Sequence, residues 1–98
     1  MQKVLDEIKQ ERQRQNQKWG VQSHNLVEWM AILTEEVGEA SKEAVDYHFK
    51  NLADGGFAGM IAPNEATQKR RLGRFRKELI QVAAVAVQII EDLDNNNN

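Results

Sequence analysis

A chain of 98 residues has room for one core, and a monomer that small is marginal, so association with another chain is a prior set by length alone. Its net charge of −2 excludes a molecule that binds nucleic acid by overall charge, and the absence of cysteine excludes disulfides and thiolate metal sites. The start, MQKVLDEIKQER, lacks an apolar signal core, and no apolar run reaches the roughly 20 residues of a membrane span, so the expected setting is cytoplasmic.

The first predicted helix covers about Lys3 to Gln17, with Val4, Leu5 and Ile8 as its apolar face. Its second half, ERQRQNQK, reads as polar all round, and Gly20 ends it. The stretch GVQSHN is a turn. Asn25 with Glu28 three residues later resembles a capping box and places the next helix start at Leu26.

The second helix is predicted from Leu26 to Asn51. Leu26, Trp29 or Met30, Leu33, Val37, Ala40, Ala44 and Tyr47 recur every three or four residues and form a packing seam. LADGGFAGMIAP then reads as a glycine-rich loop whose Phe57, Met60 and Ile61 fold over something. Asn64 is the expected cap of a third helix from Glu65 to Leu93, with Leu72, Phe75, Leu79, Val82, Ala86, Ile89 and Leu93 as its repeat. From Val82 to Ile90 only Gln88 is strongly polar. Such a helix has to be buried on several sides, which three helices do not provide. The expected architecture is all-α: a helical bundle of three main helices per chain, completed by a second chain as a dimer or a dimer of dimers. Residues 1–94 form the domain, and 95–98 read as a disordered asparagine tail.

The segment LTEEVGEASKEAVDY holds Glu35, Glu36, Glu39, Glu43 and Asp46 against a single cation, Lys42. On a helical wheel Trp29, Ile32, Glu36, Glu39 and Glu43 occupy a sector of roughly 80° beside the seam, whereas Glu35 and Asp46 lie towards solvent. Carboxylates one turn apart repel, and desolvation at a core edge raises the cost. A hard divalent cation such as Mg²⁺ removes both penalties. A solvated acidic face is the competing reading.

Six of the chain's 13 lysines and arginines lie in KRRLGRFRKE: Lys69, Arg70, Arg71, Arg74, Arg76 and Lys77. Arg71, Arg74 and Glu78 share a face. If the second and third helices pack antiparallel, Glu78 faces Glu36 and Glu39, with arginine forks suited to phosphate nearby. A metal beside arginines is equipment for a polyphosphate. Two rival readings use the same residues: a non-enzymatic helical interaction module, and a nucleic-acid-binding regulator that uses residues 69–77.

EEVGE at 35–39, the acid Glu78 at the head of an apolar helix, the upstream WGVQSH and the downstream KELIQVAAVAV together resemble the MazG-like family, all-α nucleoside triphosphate pyrophosphohydrolases related to dimeric dUTPases. The resemblance implies hydrolysis of (deoxy)nucleoside triphosphates to monophosphate and pyrophosphate, in the service of cleansing the nucleotide pool. It implies Glu36, Glu39 and Glu78 as Mg²⁺ ligands, with Mn²⁺ as a substitute, Glu35 and Glu43 as further candidates, and Glu35 as an outer ligand or a positioner of water. Glu35, Glu36, Glu39 and Glu78 are then the catalytic set. Where the family carries a last aspartate this chain has Gln81, which offers a neutral carbonyl oxygen. Arg74, with Arg71 beside it, corresponds to the family's phosphate-binding position. Trp29, two turns before Glu36 and roughly 10 Å away, suits a stacked base, with plain core packing as the competing reading. Trp19 and His24 suit a pocket cap, against a structural or solvent-exposed histidine. Gly38, between the acids, would let another helix or the nucleotide approach closely. No membrane or nucleic-acid partner is expected.

Overall fold

The computed structural model describes residues 1–54 and 65–96, with side chains described for 1–49 and 65–96. Three helices account for it: α1 (Gln2–Trp19), α2 (Leu26–Asp54) and α3 (Glu65–Asn96). No strand occurs among the described residues, and none of their helices is long and apolar enough to cross a membrane.

The helix starts and stops follow local chemistry. Gly20, at φ 75°, takes the left-handed backbone that ends α1, and its N–H donates to the Asn16 carbonyl at 2.9 Å. The α2 start is the expected capping box. The Glu28 N–H donates to Asn25 Oδ1 at 2.8 Å, and the Asn25 N–H donates to Glu28 Oε1 at 3.0 Å. Two ends run further than the sequence suggests. Residues 52–54, read as loop, belong to α2. Asn95 and Asn96, read as disordered tail, continue α3, and Asn96 Nδ2 donates to the Asp92 carbonyl at 2.9 Å. The expected loop folding of Phe57, Met60 and Ile61, the Asn64 cap and the last two asparagines lie outside the described residues.

Trp29 near the start of α2 bonds Asp92 near the end of α3, and Glu36 lies beside Gln81, so the two helices run antiparallel. α1 packs mainly on α3. Its Glu7 receives Arg76, and its Arg12 donates to Glu91 Oε1 at 2.9 Å, so α1 and α3 run in the same general direction. Arg12 corrects the reading of ERQRQNQK as evenly polar. It is 8% exposed and also donates to Gln15 Oε1 and Asn16 Oδ1, which satisfies its fork.

The α2 seam is rotated from its expected position. Trp29 and Ala40 are buried and Leu33, Glu36, Glu43 and Tyr47 half-buried, whereas Leu26, Met30, Val37 and Ala44 are exposed. The acids therefore border the α2–α3 contact, as expected: Glu36 and Glu43 are half-buried and Glu35 and Glu39 exposed. On α3 the buried residues are Ala84, Val85 and Gln88. As expected, one chain leaves part of the apolar run uncovered: Ile90 is 57% exposed and Val87 is exposed, while the polar Gln88 is inside; Leu72 and Leu79, earlier on α3, are exposed too. The radius of gyration, 17.2 Å, exceeds the roughly 13 Å of a compact domain this long.

Candidate functional site

Where α2 crosses the middle of α3, Glu36, Glu39 and Glu78 each bring a carboxylate oxygen within 4.8 Å of the others. The spacing explains how. Glu36 and Glu39 are one turn apart on α2, and Glu78 enters from α3 between them. Burial raises the pKa of Glu36 above the ordinary carboxylate range, and the charges of Glu39, Glu78, Glu35 and Glu11 add to the rise. Burial also raises Glu78, reinforced by the charge of Glu39, by a hydrogen bond with it and by Glu43, against a weaker pull from Lys77. The cluster therefore resists full ionisation on its own.

Gln81 mediates. With its amide oriented to satisfy its neighbours, Nε2 donates to Glu78 Oε2 at 3.1 Å and to Glu36 Oε2 at 3.3 Å. The sequence suggested a carbonyl oxygen offered to an ion; in this orientation the NH₂ group faces two acids, which accept from it. Glu35 is exposed and Glu43 half-buried. Both act on the cluster through charge, Glu35 on Glu36 and Glu43 on Glu78.

Beside the cluster lies a cavity of about 360 Å³. Glu36, from the cluster, and Gln81 line it. Ile32, Val85 and Gln88 continue the wall from α2 and α3, and α1 with the following turn closes it through Glu11, Arg14, Gln15, Trp19 and Gln22. Its size is at the low end of small-molecule sites.

The structure divides the residues singled out from sequence. Glu36, Glu39, Glu78 and Gln81 come together, and Trp19 lines the cavity. Trp29 does not: it is 1% exposed, its indole N–H donates to Asp92 Oδ2 at 2.7 Å, and His24 packs edge-on against its ring at 4.7 Å. The Trp29 ring is consumed in packing and offers no free face to a ligand, whereas His24 is half-buried and does not line the cavity. Neither Arg71 nor Arg74 lines the cavity. Within the basic cluster, Arg76 is held by Glu7 and Lys69 by Glu65. The cation at the cavity is instead Arg14, whose Nε donates to Glu11 Oε1 at 2.9 Å. Gly38 meets no close approach, since a Cβ built there has no neighbour within 4 Å.

Arg14, Gln15, Gln22 and Gln88 were missed. No periodic rule selects them, because they reach the cavity only through the crossing of α1 over α3. The one available signal was Gln88, the strongly polar residue in an apolar run.

No family model, curated protein or solved structure matches the chain.

Proposed function

We propose that the chain is a Mg²⁺-dependent pyrophosphohydrolase of nucleoside or deoxynucleoside triphosphates, working as at least a dimer. The observation that carries this reading is the convergence of Glu36, Glu39 and Glu78 from two helices, with Glu36 also lining a cavity of about 360 Å³.

The donor set fits the ion. Three carboxylates supply hard oxygens, two of them have raised pKa values from burial and mutual repulsion, and a small divalent cation relieves both strains. Glu36, Glu39 and Glu78 would hold it, with Glu35 and Glu43 adding to the negative field. When bound, Mg²⁺ supplies charge neutralisation at phosphoryl oxygens and a lowered pKa for water. Mn²⁺ shares those preferences.

The chain's own groups do the remainder. Arg14 leaves Glu11 to pair with a phosphate oxygen, which a guanidinium fork suits. Glu35 orients the attacking water and takes its proton. The water oxygen bonds to the α-phosphorus, the bond from that phosphorus to the α–β bridging oxygen breaks, and pyrophosphate leaves with the electron pair. Ile32 and Val85 exclude bulk water from one wall.

A second chain is proposed because Leu72, Leu79 and Ile90 of α3 and Met30 and Val37 of α2 are exposed. Assaying NTPs and dNTPs for pyrophosphate release with and without Mg²⁺ tests the activity. Release of orthophosphate instead, or release indifferent to chelation, overturns it.

A further inference from the structure

One residue of the cavity wall has no structural use for its chemistry. Gln88 is 9% exposed, in a helix stretch that is otherwise Val, Ala and Ile. No described group hydrogen-bonds its amide, yet no polar side-chain atom sealed from solvent among the described residues lacks a partner. The amide atoms of Gln88 therefore open on cavity space. Gln88 lines both the carboxylate cavity and a neighbouring one of about 290 Å³, as does Gln22. Removing most of an amide from water still costs more than burying a leucine in the same place.

Position adds to this. Gln81 and Gln88 are seven residues apart on α3, nearly aligned, with a rise of about 10 Å between them. Of the clustered acids Glu36 lines the cavity, beside Gln81; Gln88 lines it about 10 Å further along α3, and Trp19, 63% exposed, lines it too. Phosphates and base lie at opposite ends of a nucleotide.

We propose that Gln88 is the base-reading residue of the site, pairing its amide with a nucleobase edge that presents one donor beside one acceptor, while Trp19 supplies a stacking face. The proposal rests on the nucleotide reading above. A glutamine amide holds one acceptor and one donor group side by side, and pairs bidentately with such an edge, as with N6 and N7 of adenine. An unpaired base edge against the buried amide leaves both unsatisfied, so the site discriminates between bases rather than merely holding them.

The test measures kcat/KM for the four dNTPs, the four NTPs and a triphosphate carrying benzene in place of the base, on the full chain with Mg²⁺. Binding of the matching α,β-methylene analogues is measured by calorimetry. In the wild type the preferred base should exceed the benzene analogue by roughly tenfold or more. Gln88→Leu should collapse that advantage and the ranking among bases, while its melting temperature holds or rises. Gln88→Glu keeps the shape but presents two acceptors, so its preference should move towards guanine, which offers N1–H and N2–H₂ side by side. A Gln88→Leu variant with the wild-type ranking, or a Gln88→Glu variant with no shift towards guanine, overturns the assignment while the hydrolase reading stands. A wild type that neither binds nor cleaves any of these nucleotides overturns both.

Discussion

The indole N–H of Trp29 donates to Asp92 Oδ2 at 2.7 Å, tying the start of α2 to the end of α3 across 63 positions of sequence. Asp92 also accepts from the backbone N–H of His24, so the turn before α2 is tied to the same carboxylate. The pKa of Asp92 is held below the ordinary range, first by the Trp29 bond and further by Ser23, His24 and Asn96.

That node predicts a structural role for Trp29. Trp29→Ala should lower stability by about 3–5 kcal/mol, the usual cost of emptying a buried aromatic site. Trp29→Phe keeps most of the ring but removes the donor. Because the folded pKa of Asp92 is depressed, its contribution is present above the unfolded value and lost as pH falls through the folded one. Thermal melts from neutral into acid should therefore show a smaller acid loss for Trp29→Phe than for the wild type. Equal acid limbs would mean that the indole bond does not set that pKa.

The carboxylate cluster predicts the opposite sign. Glu36 and Glu78 have raised pKa values, so their contribution to stability is present below the unfolded value and lost as pH rises through the folded one. Without metal, the chain should gain stability on mild acidification from neutral pH. Glu36→Gln, Glu39→Gln and Glu78→Gln should each hold or raise that metal-free stability while removing most Mg²⁺-dependent turnover, and two together should cost little more than one. Melts and pyrophosphate release on the same samples decide it. Variants that melt lower yet hydrolyse normally would make the cluster a structural charge network.

Much of this was legible locally. The capping box at Asn25 and Glu28, and the alignment of Glu36 and Glu39, follow from helical spacing alone. The meeting with Glu78 follows only if the two long helices pack antiparallel, which spacing alone does not decide. Trp29 fell in both the seam and the acids' sector, and a wheel, which gives an angle and not a depth, does not choose between core packing and base stacking. At that depth α3 supplies Asp92, and the ring is consumed in packing. Arg12, Arg14 and Gln22 were illegible for a different reason. An evenly polar helix offers no period from which to infer its buried side, so only the placement of α1 on α3 shows it. Arg71 and Arg74 share a face with Glu78 by spacing, yet neither lines the cavity, because spacing along one helix does not say where a cavity opens.

Exposed apolar residues on two helices predict self-association. Leu72, Leu79 and Ile90 project from α3, and Met30 and Val37 from α2. Sedimentation at micromolar concentration should give a dimer or larger, and the pair Leu79→Glu with Ile90→Glu should yield a smaller, less stable species. A stable wild-type monomer would remove the second chain from the proposal.

Gly38 gives an independent probe of the same question. Its position is helical and its surroundings within one chain are open. Gly38→Ala should therefore stabilise by about 1 kcal/mol, the difference in helix propensity. A lower melting temperature, with dissociation in sedimentation, would instead place a partner chain's backbone against this glycine.

Gln81 sets two properties of the site against one another, and one substitution separates them. Its amide nitrogen bridges Glu36 and Glu78, so in the metal-free chain it supplies donors that two raised carboxyls need. Gln81→Asp removes those donors and adds a fourth negative charge to the cluster. Metal-free stability near neutral pH should fall, and it should recover more steeply on acidification than in the wild type, since more protons bind as charge is relieved. With Mg²⁺ the order should reverse. A further carboxylate tightens the hold on a hard cation, and a tighter ion stabilises the folded state in proportion to the logarithm of its saturation. The measurement is a melt series over Mg²⁺ concentration for both proteins, with calorimetric titration of the ion. Curves that cross, with the variant lower without metal and gaining more with it, support an ion held by this cluster. Parallel curves in which Mg²⁺ adds nothing to either protein would mean that Gln81 bridges two acids for packing alone, and that the carboxylates hold no ion at all.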